Sequence, residues 1–186
     1  LSLLTSGSVE DEAAYLRERV RAGELSQERL QVAAYCGHKG ATRAAGGLQD
    51  SAEPGTDPHS LAWWRRLSRW PSCVAEVALQ AARELTQESS DLDLAERWLR
   101  SRDQNEGQLI WERVRSLEVQ QAESGQVLDP SDWVGLEVLW CVAWEEVGAG
   151  FYAGADHLCE LISALGERGF DLGLFAGKVA ERCLSQ

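Results

Sequence analysis

Apolar residues return every three or four positions along almost the whole chain, and strict alternation never persists over the roughly four to eight residues that a half-buried strand needs. That periodicity sets the expected fold as all-α. About ten helices joined mostly by short turns imply stacked antiparallel hairpins, either a closed bundle or a short solenoid of HEAT-like two-helix units. No strict repeat of fixed period is visible to decide between them.

Local signals place most helix ends. Ser8, with acids following in the first turn, opens a helix over 9–22 that Gly23 closes. Ser26 opens a second helix running toward Gly37, and a short third covers 39–45. Further helices are expected over 59–70, where Pro71 stops or restarts the chain, and over 72–87. Another starts at Asp91 or Asp93, and the next runs from Asn105 to Gly125. Asp129-Pro130-Ser131 combines a capping side chain with a proline at the first turn, and the helix behind it carries Trp133, Leu136, Trp140, Trp144 and Val147 at helical spacing. That stripe is expected to face an apolar partner. Gly148, Gly150 and Gly154 bracket a turn before a helix over 155–168, and Asp171 caps the last one.

The segment 47–58, rich in Gly, Pro, Ser and Asp, reads as the one long linker. It divides the chain into an N-terminal helical hairpin unit, 1–46, and a main helical domain, 59–186, which are expected to form one cooperative domain overall. Gly135, Gly173 and Gly177 lie inside helices, where glycine lowers propensity, and are candidates for close crossings.

Charge limits the partners. Thirty Asp and Glu against 18 Lys and Arg give a net charge of -12, which disfavours nucleic acid and anionic lipid and favours a basic protein. The same charge also serves plain solubility. No stretch is apolar enough to span a bilayer and none has the layout of a signal peptide, so a cytoplasmic location is expected. Cys36, Cys73, Cys141, Cys159 and Cys183 form no C-x-x-C pair, and they read as reduced thiols in helix cores. The chain contains no Met and begins at Leu1, which fits an alternative start codon or the edge of a longer polypeptide.

Catalytic signatures are missing. His38, His59 and His157 are the only histidines, and none has a zinc-ligand spacing to a second His or a Cys pair. No nucleophile elbow, phosphate loop or dinucleotide fingerprint occurs, so no catalytic residue, metal or cofactor is assigned. A deep pocket placing His38 or His157 beside carboxylates would reopen an enzymatic reading. The segment from Trp63 to Trp70, W-W-R-R-L-S-R-W, is the one basic and aromatic cluster. On a helix Trp63, Leu67 and Trp70 share a core-facing side while Arg65, Arg66 and Arg69 spread outward, for salt bridges or for stacking on nucleic acid bases.

The stretch Gly23 to His38, G-E-L-S-Q-E-R-L-Q-V-A-A-Y-C-G-H, resembles a helix-turn unit of helical proteins from GC-rich bacteria, with the pattern G-x-L-x-x-E-R-L-x-x-A-A-Y-x-G-H. Trp70, the run from Val74 to Arg83, and Leu94-Ala95-Glu96-Arg97-Trp98-Leu99 are similar to the segments that accompany that unit in immunity proteins of the Imm5-like type. That family often carries cysteines after its Trp-containing helix. Ser101-Arg102-Asp103 stands there in this chain, so no cysteine role carries over. The resemblance implies a helical-repeat fold and the neutralisation of a toxin protein. The expected function is therefore a non-enzymatic protein-binding module, an immunity-type inhibitor whose acidic face occludes a cationic toxin domain. The alternative is a structural or regulatory scaffold domain of a larger protein. Glu137, Trp144, Glu145 and Glu146, clustered acids beside an aromatic, are the candidate partner contacts.

Overall fold

In the computed structural model the described residues are 8–46, 57–86, 89–124, 128–147 and 153–185, with the side chains of 71, 72, 124, 144–147 and 153 set aside. Among them the fold is all-α, with ten α-helices and no strand. The linker expected over 47–58 lies outside the described residues except at its last two positions.

The chain divides into two units, one of 1–58 with 171–186 and the other of 59–170. In the first, α1 (Val9–Arg21) packs on α3 (Lys39–Ala44), and α2 (Gln27–Tyr35) packs on both α3 and α10 (Leu172–Ser185). Sequence reasoning placed the last helix in a 59–186 domain; its buried Phe175, Val179 and Cys183 instead complete the N-terminal unit. Amphipathic periodicity fixes which face of a helix is buried but not which distant helix buries it. The caps follow the sequence signals. Ser8 and Asp11 form a reciprocal capping box, Ser26 Oγ accepts from Arg29 N–H at 3.2 Å, and Asp171 Oδ1 accepts from Gly173 and Leu174. Gly23 and Gly37 have φ of +74° and +89°, the left-handed backbone that ends α1 and α2.

The second unit holds α4 (Leu61–Arg65), a 3-10 turn over Arg66–Arg69, α5 (Pro71–Leu85), α6 (Ser90–Ser101), α7 (Gln104–Ser124), α8 (Pro130–Val147) and α9 (Ala153–Glu167). The helix expected over 59–70 is thus split. Trp64 joins Trp63, Leu67 and Trp70 in the core and packs edge-on against Trp63 at 4.7 Å between ring centroids. Arg65 pairs with Asp156 at 2.9 Å.

Helix α8 is the centre of this unit, touched by α5, α6, α7 and α9. With neighbours on every side it is apolar all round, and Val134, Val138, Leu139, Cys141, Val142 and Ala143 are buried. The expected aromatic stripe is only partly the buried face. Leu136 is buried, Trp133 and Trp140 are half-buried, and the side chains of Trp144 and Val147 lie outside the described residues. Bulky indoles occupy the rim of this packing while smaller residues fill its middle.

One ion-pair clasp fixes three helices. Asp91 at the start of α6, 5% exposed, accepts from Arg113 Nε at 2.8 Å and from Nη2 at 3.0 Å, and Arg113 also reaches Asp132 of α8 at 3.4 Å. Gly135 lets α8 approach this carboxylate: a Cβ there would sit 2.8 Å from Asp91 Oδ2 and 2.9 Å from its Cβ.

Candidate functional site

Of the expected contact residues, Glu137 is described and points inward. It is 8% exposed, and its Oε2 lies 2.7 Å from His157 Nδ1 of α9. It is therefore not a surface contact: its buried carboxylate is satisfied by the imidazole and not by solvent. Trp144, Glu145 and Glu146 lie outside the described residues in their side chains.

Around the pair the second unit builds an aromatic cluster. The His157 ring stacks on Trp140, one turn after Glu137, at 5.6 Å between centroids and 6° between planes. Trp111 of α7 meets Trp140 edge-on at 5.8 Å and 89°. A carboxylate only accepts, so neutral His157 carries its proton on Nδ1 and leaves the Nε2 lone pair unused, with no hydrogen-bond partner among the described residues. An imidazole oriented in this way is half of a general-base arrangement. The other half is not assembled: the nearby thiol of Cys141 donates to the Gly154 carbonyl at 3.3 Å, and burial pushes the Cys159 thiol up from its ordinary value. What the pair does in the fold is join α8 to α9.

Sequence reasoning named Glu137 as a surface contact and found no zinc-ligand spacing for His157, so it missed their pairing. The signal was nonetheless in the glycine-bracketed turn. In an antiparallel hairpin folded there, Cys141 meets Gly154, and one turn further along on each side Glu137 meets His157. His38, which falls between the second and third expected helices, is the N-cap of α3: its Nδ1 accepts from Ala41 N–H at 3.2 Å and its Nε2 lies 3.7 Å from Glu12.

Three exposed acids of the second unit, Glu112, Glu118 and Glu123, lie on α7. Its buried stripe is Gly107, Ile110, Val114 and Leu117, and beyond Leu117 every residue through Glu123 is exposed. The opposite side carries Leu109, Glu112, Ser116, Val119 and Glu123, spaced three, four, three and four apart, and all five are exposed. Leu109 is 50% and Val119 52% exposed, large values for aliphatic side chains. Glu112 accepts from Gln108 at 2.9 Å, while Glu118 and Glu123 make no ion pair or hydrogen bond among the described residues. At about 1.5 Å per residue the stripe is about 21 Å long. It lies in the more acidic unit, where 19 Asp and Glu face 10 Lys and Arg.

Among the described residues no helix is long and apolar enough to cross a membrane, and no group of three or more His, Cys, Asp or Glu side chains converges as metal ligands would. No family model, curated protein or solved structure matches the chain.

Proposed function

We propose that the chain is a non-enzymatic protein-binding module, most concretely an immunity-type inhibitor that covers a cationic toxin domain, such as a nuclease, with an acidic face. The observation that carries this reading is the outer stripe of α7, where carboxylates without ion pairs alternate with exposed Leu109 and Val119. The field of the acidic unit steers a basic partner into encounter, and apolar anchors at helical spacing then slow its release. Occlusion needs no proton transfer and no nucleophile. The five cysteines, none of them in a disulfide, suit a reducing cytosol, where such an inhibitor would meet its target.

Co-expression with the products of adjacent reading frames, scored for growth and for co-purification at low salt, tests the reading. The expected result is rescue from one neighbour that inhibits growth, together with recovery of that basic protein in a complex weakened by salt. Failure of every neighbour to be neutralised or bound would overturn it.

A further inference from the structure

The first unit carries a feature of opposite sign. Lys39, Thr42, Arg43 and Gly46 succeed one another at intervals of three, one and three, which sets them on one face of α3 and its C-terminal end. With Gly37 they line an open groove of 770 Å3 against Val9, Glu10 and Arg17 of α1. That volume falls within the roughly 300 to 1,000 Å3 of small-molecule sites. Small residues bring the two helices together beneath it: Ala13 and Ala41 are fully buried, and a Cβ on Gly40 would lie 2.2 Å from Glu12 Oε2.

Three cations border this groove against a single acid, Glu10, in a chain whose net charge is -12. Elsewhere several arginines are neutralised: Arg65 by Asp156, Arg83 by Asp93 and Glu96, Arg97 by Glu106, and Arg113 by Asp91. Arg17, Lys39 and Arg43 form no ion pair among the described residues. Glu12 could have supplied one, but it is taken up by His38 and lies over Gly40. Arg17 instead donates to the Arg43 carbonyl at 3.5 Å, which keeps its guanidinium at the α3 end of the groove. Like charges held together without a counter-ion repel, and an anion between them relieves that cost.

We propose that the α1/α3 groove binds a small molecule carrying a phosphate group on an apolar body. Two guanidinium forks and an ammonium match the several acceptor oxygens of a phosphate better than they match a single carboxylate. The groove is far larger than a phosphate ion, and Val9, 38% exposed, with the aliphatic stems of the three cations provides walls for the rest of the ligand. This site is independent of the α7 surface and stands or falls without it.

Titration of the full chain with phenyl phosphate, followed by amide chemical shifts, tests the proposal, with phenol as the uncharged control. Saturable shifts are expected at Arg17, Lys39, Thr42 and Arg43, with a Kd below about 1 mM at low salt. Arg17→Gln and Arg43→Gln should each weaken binding about tenfold, the loss of one charge-assisted hydrogen bond. Lys39→Gln, at the start of α3, gives a second reading if either arginine variant unfolds. Arg115→Gln, which removes an exposed cation of the other unit, should change nothing. The proposal is overturned if phenyl phosphate gives no saturable shift by about 10 mM, if phenol binds equally well, or if Arg115→Gln weakens binding as much as the groove variants.

Discussion

Replacing Asp91 with alanine should destabilise the second unit through the arginine left behind more than through the contact removed. Asp91 is 5% exposed and receives both N–H groups of the Arg113 fork, at 2.8 and 3.0 Å. Breaking a fully buried ion pair costs about 3 to 5 kcal/mol, because an uncompensated charge remains. Here the Arg113 side chain keeps 33% of its exposure and retains Asp132 at 3.4 Å, so solvent and the second carboxylate reduce the expected cost to about 2 to 3 kcal/mol. Asp91→Ala combined with Arg113→Met removes both charges and should recover at least about 1 kcal/mol of that loss. Urea unfolding followed by tryptophan emission is the assay. All eight tryptophans lie within 59–170, so this signal reads the second unit alone. A cost below about 0.5 kcal/mol for Asp91→Ala, or a double variant as unstable as the sum of its parts, would refute the reasoning.

Gly135→Ala should also destabilise, by about 1 to 3 kcal/mol in the same urea assay despite alanine's better helix propensity, because the new methyl would lie 2.9 Å from the Asp91 Cβ, which cannot swing away. Asp129 caps α8 by accepting from Ser131 Oγ and N–H at 2.6 and 2.9 Å, and these bonds hold its carboxyl below the usual 3.8. The cap is therefore fully present above that value and is lost as pH falls through the lowered one, so a carboxyl NMR titration should place the Asp129 midpoint below 3.8, and a midpoint at or above it would contradict the capping account. Ellman's reagent should find one quickly reacting thiol in the folded protein, Cys36, which is half-buried while Cys73, Cys141, Cys159 and Cys183 are buried, and all five after denaturation.

The parts of the fold that were legible in the sequence are those settled within a few residues. Ser8, Ser26 and Asp171 each precede a helix whose orphan N–H groups they satisfy, and Gly23 and Gly37 stop helices by adopting positive φ. The Trp63–Trp70 segment was legible as core except for Trp64, which on a helical projection falls at the edge of the face set by Trp63, Leu67 and Trp70, about 60° from Leu67. The α8 stripe was legible only in part, for another reason. A helix surrounded by four neighbours has no single buried face, so periodicity among its large residues says little about which ones are covered. Long-range pairings were the least accessible. Asp91 with Arg113, and Glu137 with His157, join residues about 20 positions apart on different helices, and α10 returns to the N-terminal unit across the whole intervening chain. The groove cations obey the same rule, since Lys39, Thr42 and Arg43 share a face that is readable locally while Arg17 comes from another helix.

Recognition through the α7 surface is tested most directly by reversing its charge while leaving its core stripe intact. Glu112→Lys, Glu118→Lys and Glu123→Lys together alter positions outside that stripe, so helical circular dichroism and the urea midpoint should stay close to those of the parent. In cells producing the growth-inhibiting neighbour that the proposal requires, the triple variant should fail to restore growth and should no longer co-purify with that protein. Protection and co-purification equal to the parent's, from a variant that folds as well, would contradict the account.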